Sequence, residues 1–382
     1  MANLLKKIIK RLLILFPIKK IILLESLPDF SDNTKAVYDE LIKRGVNEKY
    51  KIVWLVTSAF KEEKLDKVDK NVKFIAYDNK KNSLKLAYYN SVAKCIICCN
   101  RFKKSLRKNQ FSMYLSHGTA IKSVHDYYNV PNAIDRCLVA SEGVKELMAY
   151  EFRYDINKMV ALGFPRNDVF SRKLTLPKGI WGKEYDKVIV WYPTFRQHKG
   201  GIKTASKNAL PIIDNVEKAK VLNDYACKNK VLVVLKPHFV QDVSYVKDLG
   251  LENIRFINDE FFIENKISSY EFVGGCDALI TDYSSIYYDY TLCDKPIAVI
   301  WEDIEDYKQN PGLVANYEYY LQGAEKVYSI DDLLGFIERL IKGEDKLANE
   351  RRYIRDLCNY KNDGLSASRV VDYILREINY KK

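Results

Sequence analysis

Apolar and polar positions along the 382-residue chain follow two rhythms. The first is a series of short continuous apolar runs: Lys51–Val56 (KIVWLV), Val72–Tyr77, Cys95–Cys99, Met113–Leu115 and Leu138–Ala140. Runs of this length without alternation predict strands buried on both faces, as in a parallel sheet. The second rhythm is helical, at Ala36–Lys43, Leu84–Asn90 and Glu142–Phe152 between those runs. Ser31, Asp32 and Asn33 supply cap residues before the first of these helices, and Gly45 ends it. The pattern pauses after Gly163–Asp168 and restarts at Lys187–Tyr192 (KVIVWY), followed by strands at Val231–Leu235, Ala278–Ile280 and Ile297–Ile300. Helices are predicted in this half at Val216–Lys228, Tyr270–Cys276, Ile286–Leu292 and Leu333–Lys342, and a last amphipathic one at Ser366–Ile378. Strands alternating with helices in two blocks predict two doubly wound α/β halves facing a cleft, with ligands at the carboxyl ends of the strands.

The predicted organisation is a helix over 1–24, a first Rossmann-like domain over 25–170 and a linker over 171–186. A second Rossmann-like domain follows over 187–364, then a C-terminal helix over 365–382. In the first segment Leu4, Leu5, Ile8, Ile9, Leu12, Leu13 and Phe16 share one helical face, and Lys6, Lys7, Lys10 and Arg11 fill the other. Charges interrupt it too often for a transmembrane span, and no small-residue cleavage site follows. A basic amphipathic helix lying on an anionic membrane is expected, with packing on the protein's own core as the alternative.

Composition sharpens this picture in two ways. A formal net charge of +12 suits an anionic partner, whether phosphorylated substrate, acidic membrane or nucleic acid. No nucleic-acid recognition motif accompanies the charge, and none is expected to be bound. Cys95, Cys98 and Cys99 sit in an apolar run without a second ligand pair, so the cysteines read as buried thiols rather than a zinc site.

Chemistry concentrates where the strands end. His117, Gly118, Thr119 and Lys122 lie in LSHGTAIKS, where a histidine at the mouth of a cleft can act as general base or be satisfied by backbone groups. Thr194 and Arg196 lie in PTFR, Lys236 and His238 in KPH, and Arg166 in GFPRND. In ALITDYSSIYYDY a strand leads through Thr281, Asp282, Ser284 and Ser285 into a helix capped by one of the two serines, a pattern suited to an anion. Each cluster has an ordinary structural alternative: a surface arginine, a capping serine, a boundary turn. No phosphate-binding P-loop or dinucleotide fingerprint occurs. No acidic cluster has the spacing of a magnesium site and no cofactor is expected; were a metal required, Asp282 and Asp289 are the carboxylates to hold it.

The ordered set SDNTKAVYDEL, SHGTAIKS, GFPRND, YPTFR, KPHF, TDYSSIYYDY with DKPIAVI, and DGLSASRVVDYI resembles the CDP-glycerol glycerophosphotransferases of teichoic acid and capsule polymer synthesis, from about Glu25 to Ile374. Ala120, Ile121 and Phe239 depart from the usual pattern, and in length the chain is nearer the primases. The resemblance implies a GT-B fold and a peripheral place on the cytoplasmic face of the cell membrane. It implies transfer of glycerol phosphate from CDP-glycerol to a hydroxyl of a lipid-linked saccharide or polymer, with release of CMP. His117 then corresponds to the general base. His238, Arg196, Ser284 and Ser285 correspond to donor-phosphate contacts, and Asp282 to the acid of TDYSS. Alternatives are a GT-B transferase using CDP-ribitol or a nucleotide sugar, and a non-catalytic membrane-bound binder of anionic polymer.

Overall fold

The computed structural model describes residues 12–65, 67–194, 210–237, 243–309 and 312–381. Two compact units emerge. The first comprises residues up to Gly118, Tyr128–Asp168 and Asp363 onward; the second comprises Thr119–Tyr127 and Val169–Asn362.

The first unit holds a seven-stranded parallel sheet in the order β3-β2-β1-β4-β5-β6-β7. Its strands are β1 (Lys19–Glu25), β2 (Lys51–Val56), β3 (Val72–Ala76), β4 (Ala93–Cys98), β5 (Phe111–Tyr114), β6 (Arg136–Val139) and β7 (Met159–Ala161). Helices α1 (Asp32–Lys43), α2 (Ser83–Val92) and α3 (Lys145–Glu151) intervene between strands. Because the faces are covered, the strands could be read as apolar runs: Ile52 to Val56 are all buried, as are Cys95 to Cys98. Ile21, Leu23, Val53, Leu55, Ile75 and Ile96 make one core with Val92 and Ala93, and Leu86, Tyr88 and Tyr89 of α2 pack against it.

One expectation is corrected here. Residues 1–24 do not form one helix, because Lys19–Glu25 is the central strand of the sheet, paired in parallel with β2 and β4. The run Ile21–Leu24 is buried on both faces. Four consecutive apolar residues fit a helical face and a buried strand equally well, and the open slot between β2 and β4 decides for the strand. Of the residues expected on that helix's apolar face, Leu12 and Leu13 are helical; those before residue 12 lie outside the described residues.

The second unit holds a six-stranded parallel sheet in the order β10-β9-β8-β11-β12-β13. Its strands are β8 (Lys187–Trp191), β9 (Val231–Leu235), β10 (Ile254–Phe256), β11 (Ala278–Thr281), β12 (Ile297–Ile300) and β13 (Glu325–Val327). Among its helices are α4 (Val216–Lys228), α5 (Ser269–Gly275), α6 (Ile286–Tyr290), α7 (Ile330–Lys342) and α8 (Ala348–Cys358). Its core joins the strands to Leu222, Leu333, Phe336 and Ile337.

Three segments sit differently from their expected places. The residues after Gly118 join the second unit, where Lys122 pairs with Leu313 and the Ser123 N–H donates to the Gly312 carbonyl at 3.0 Å. Residues 171–186, expected as a linker, pack within that unit: Trp181 stacks on Phe261 at 5.2 Å, and Leu174 and Leu176 lie against Gly274 and Gly275. The last helix, α9 (Ser366–Tyr380), returns to the first unit and packs on α1, where Arg44 donates to Asp372 and to the Ser368 hydroxyl, each at 2.5 Å.

Candidate active site

In the first unit, four motifs distant in sequence form one hydrogen-bonded group. Asn33 donates to the Ser116 carbonyl at 3.0 Å and accepts the Arg166 N–H at 3.1 Å. The Arg166 guanidinium donates to Asp32 at 2.7 Å, and both side chains are largely buried. Asp32 has a left-handed backbone, with φ +59°. Asp168 accepts the N–H groups of Ser366 and Ala367 at 2.8 Å, so its carboxylate caps α9 from a distant loop. Burial pushes the Asp168 carboxyl up from its ordinary range, against those two backbone donors. Gly163 has φ +80°, and a Cβ there would lie 2.5 Å from the Ser366 hydroxyl. SDN, SHGT, GFPRND and DGLSAS are thus bolted together at the carboxyl edge of the sheet. Arg166, expected to touch substrate, here holds Asp32.

His117, the residue after Ser116 in this group, is exposed. Ser116 takes a left-handed turn at φ +57°, and the imidazole comes back over the end of β5, with Nδ1 3.3 Å from the Tyr114 hydroxyl. Tyr114 is buried, and its hydroxyl is 2.5 Å from that of Tyr128. Gly118 follows at φ +143°, and Thr119 is buried in the second unit. Sequence reasoning passed over this tyrosine pair, since two phenols 14 residues apart carry no spacing signal. It also missed Glu25, the buried end of β1, whose carboxylate accepts the N–H groups of Cys99, Asn100 and Arg101 at 3.1–3.2 Å. Burial raises that carboxyl above its usual range.

In the second unit, β8 and β11 lie side by side at the point where the strand order reverses. The loops leaving their carboxyl ends are tied together. The Asp282 carboxylate accepts the Thr194 N–H at 2.8 Å and the Thr194 hydroxyl as well, with both residues buried. Thr281 donates to the Tyr192 carbonyl at 2.9 Å. Tyr283 donates to Asp303 at 3.0 Å and stacks on Tyr307 with ring centres 3.9 Å apart. Thr194, Thr281, Asp282, Ser284 and Ser285 are therefore brought to one edge. Ser284 and Ser285 are half-buried, and neither side chain caps α6, contrary to expectation. The helix is five residues long and continues into a tighter turn at Thr291–Cys293.

Lys236 leaves β9 on the same edge, with its N–H on the Trp191 carbonyl at 3.0 Å and its ammonium 3.0 Å from Asp259. Arg196 and His238 lie outside the described residues. Asp289 accepts the Tyr270 hydroxyl at 2.7 Å inside the unit. Among the described residues, no group of three or more His, Cys, Asp or Glu side chains is placed to hold a metal ion.

Comparison with known proteins places this arrangement. The family described as CDP-glycerol:poly(glycerophosphate) glycerophosphotransferase matches residues 8–376. A teichoic acid poly(ribitol-phosphate) polymerase of Bacillus spizizenii is 24% identical, the alignment covering 91% of this chain and 54% of that protein. The chain therefore spans about half the length of that relative. A teichoic acid poly(glycerol phosphate) polymerase of the same organism is 24% identical, covering 94% of this chain and 92% of that protein. A teichoic acid glycerol-phosphate primase of Bacillus subtilis is 22% identical with the same two coverages, 94% and 92%. The solved wall teichoic acid polymerase TagF superposes with a TM-score of 0.73 at 21% identity, covering 100% of this chain and 96% of that one. The calicheamicin glycosyltransferase CalG4 superposes at 0.52 with 12% identity, over 95% and 99% of the two chains. The fold is therefore GT-B, and the chain belongs to the CDP-glycerol:poly(glycerophosphate) glycerophosphotransferase family, a family of transferases.

Proposed function

We propose that this protein transfers glycerol phosphate from CDP-glycerol to a hydroxyl of a lipid-linked teichoic acid or capsule acceptor. The acceptor oxygen forms a bond to the β-phosphorus, the bridging P–O bond breaks, and CMP leaves. His117 takes the hydroxyl proton as general base. Arg196, His238, Lys236 and the Ser284 and Ser285 hydroxyls neutralise the diphosphate, while Asp282 holds the Thr194 turn beside them. The observation that supports this reading most is the family match across residues 8–376, with the SHGT and TDYSS elements both at strand ends. Product mass spectrometry tests it, with CDP-glycerol supplied alongside a lipid-linked disaccharide or an acceptor already primed with glycerol phosphate. A mass increase of one glycerol phosphate, or of a series, supports it. No CMP and no new product would overturn it.

CDP-ribitol is the second donor to test. A ribitol-phosphate polymerase is among the relatives at 24% identity, and a donor panel separates the two.

We further propose that the start of the first unit rests on an anionic membrane surface. No helix among the described residues is long and apolar enough to cross a bilayer. Leu12, Leu15 and Phe16 are exposed, Leu15 by 79%. The Phe16 ring meets Tyr88 of α2 edge-on at 6.0 Å, and Arg107 donates to the Phe16 carbonyl at 2.6 Å. Helix α2 itself exposes Leu84 and Lys85. Apolar side chains ringed by lysine and arginine suit an interfacial surface.

A further inference from the structure

The second unit carries a cleft away from the edge that holds Ser284 and Ser285. It measures about 310 Å³ and is lined by Leu292, Arg355, Asp356, Asn359, Tyr360, Lys361 and Asn362, all within that unit. Two of its amides tie it to α6. Asn359 is buried and donates both Nδ2 hydrogens, to the Tyr288 carbonyl at 2.9 Å and to the Thr291 hydroxyl at 3.2 Å. Asn362 donates to the Leu292 carbonyl at 3.0 Å. The groups they hold belong to the far end of α6 and to the turn that continues it, and α6 starts directly after Ser285. From Ser285 to Leu292 the helical rise is about 10–14 Å, so the cleft is a place of its own.

The lining has a cationic part and an accepting part. The half-buried Arg355 guanidinium gives its Nε hydrogen to the neighbouring Asp356 at 2.8 Å. That bond leaves the two terminal amino groups, a planar fork that matches a phosphate. The Lys361 ammonium stands over the Tyr360 ring, 5.3 Å from its centre. Against these two cations stands one carboxylate, Asp356, which is mostly exposed. Both amide hydrogens of Asn359 are already used, so what it offers a ligand is its carbonyl oxygen. Asp356 offers its second oxygen. A ligand that satisfies this set brings an anionic group for Arg355 and Lys361, and hydroxyl hydrogens for the Asn359 and Asp356 oxygens. We propose that the cleft is a second binding site, and that it takes a phosphate ester bearing free hydroxyls, a single polyol phosphate unit. Its volume is at the small end of ligand sites, which suits one such unit and not a nucleotide-linked one. The polyol, among hydroxylated phosphates, follows from the proposed reaction; the anion site does not depend on it. A free polyol phosphate and the phosphate-bearing end of an acceptor chain present the same chemistry to the cleft.

Calorimetry on the full-length protein tests the site, with glycerol 3-phosphate and inorganic phosphate as probes. Glycerol 3-phosphate should bind in the presence of saturating CDP-glycerol, and about tenfold more tightly than inorganic phosphate, through its hydroxyls. Arg355→Ala with Lys361→Ala should weaken that binding by about tenfold or more. Melting temperature and CDP-glycerol affinity should stay at their wild-type values, since the Arg355–Asp356 pair lies at the surface. Binding that CDP-glycerol displaces, or that survives in the double variant, would overturn the site. So would the absence of saturable binding at millimolar probe. Inorganic phosphate held as tightly as glycerol 3-phosphate would overturn the polyol phosphate as its occupant. Steady-state transfer then identifies the source. A chain-borne occupant raises KM several-fold in the double variant for an acceptor primed with glycerol phosphate units, and leaves KM for an unprimed lipid-linked disaccharide unchanged. A free occupant leaves both values as in the wild type. The calorimetry needs no turnover and the variant pair needs no CDP-glycerol. A failed transfer reaction would therefore remove the proposed function and leave the anion site standing.

Discussion

The two units place polar motifs at the carboxyl edge of a parallel sheet, and they use them differently. In the first unit nearly every motif side chain holds another motif: Asn33 holds the SHGT turn, Arg166 holds Asp32, and Asp168 caps α9. His117 is exposed at the end of that group. In the second unit the tie is small and local. Asp282 and Thr194 join two neighbouring loops, and Ser284 and Ser285 keep their hydroxyls out of the helix cap. On the proposed function each motif mixes braces with working groups, and the mixture differs between the halves. Bracing is heavy in the unit for which we propose a single base, and light in the unit for which we propose several donors around a diphosphate.

The largest effect should come from His117→Ala. Turnover should fall by about two to four orders of magnitude, with melting temperature and CDP-glycerol affinity near wild type. A folded variant with near-normal turnover would break the comparison at its centre.

Arg166→Ala should show the opposite signature. Removing one partner of a largely buried ion pair costs about 3–5 kcal/mol, read as a lower midpoint in denaturant unfolding. Donor affinity of the fraction still folded should be normal. If instead stability is kept and donor binding is lost, Arg166 is a working group and not a brace.

Ser284→Ala with Ser285→Ala should weaken CDP-glycerol binding by about 100-fold or more, two hydrogen bonds to a charged group at about 1.5–3 kcal/mol each, while unfolding changes little. Unchanged affinity by calorimetry would leave the two halves without the contrast drawn above.

Leu15→Glu should have the smallest effect and the narrowest reach. At 79% exposure it should not alter stability or turnover on a water-soluble acceptor. Binding to acidic vesicles should drop by about tenfold, from lost apolar burial and added repulsion. Deleting residues 1–22 cannot make this test, because it removes most of the central strand β1. Unaltered vesicle binding would count against the membrane surface.

Acid titration probes a separate tie within the first unit, that of Lys381 to Asp135. The Asp135 carboxyl is lowered below its ordinary range by Lys381, Ser105 and Ser112, against the cost of burial. A lowered carboxyl contributes stability present above the ordinary aspartate range and lost as pH falls through the lowered value. Asp135→Asn should therefore flatten the acid side of the stability curve, and an unchanged curve would mean the Lys381 contact is not formed in solution.

By itself the sequence determined the alternation of buried strands and amphipathic helices, because a doubly covered parallel strand must be apolar throughout. Val231–Leu235 and Ile297–Ile300 have the bounds their composition predicts. It also singled out the polar loops that follow the apolar runs, which the structure brings to the carboxyl edges of the two sheets. Short or polar strands escaped it: β10 and β13 are three residues each, with too little apolar length to register. Tertiary structure alone decided that Lys19–Glu25 is a strand, since the same apolar residues suit a helix until β2 and β4 stand on either side. It alone decided which motif residues are braces, because Arg166 and Asp32 are 134 positions apart and meet only once the sheet is built. The same holds for Tyr114, Tyr128 and His117. Distances between loops are not written in any local pattern.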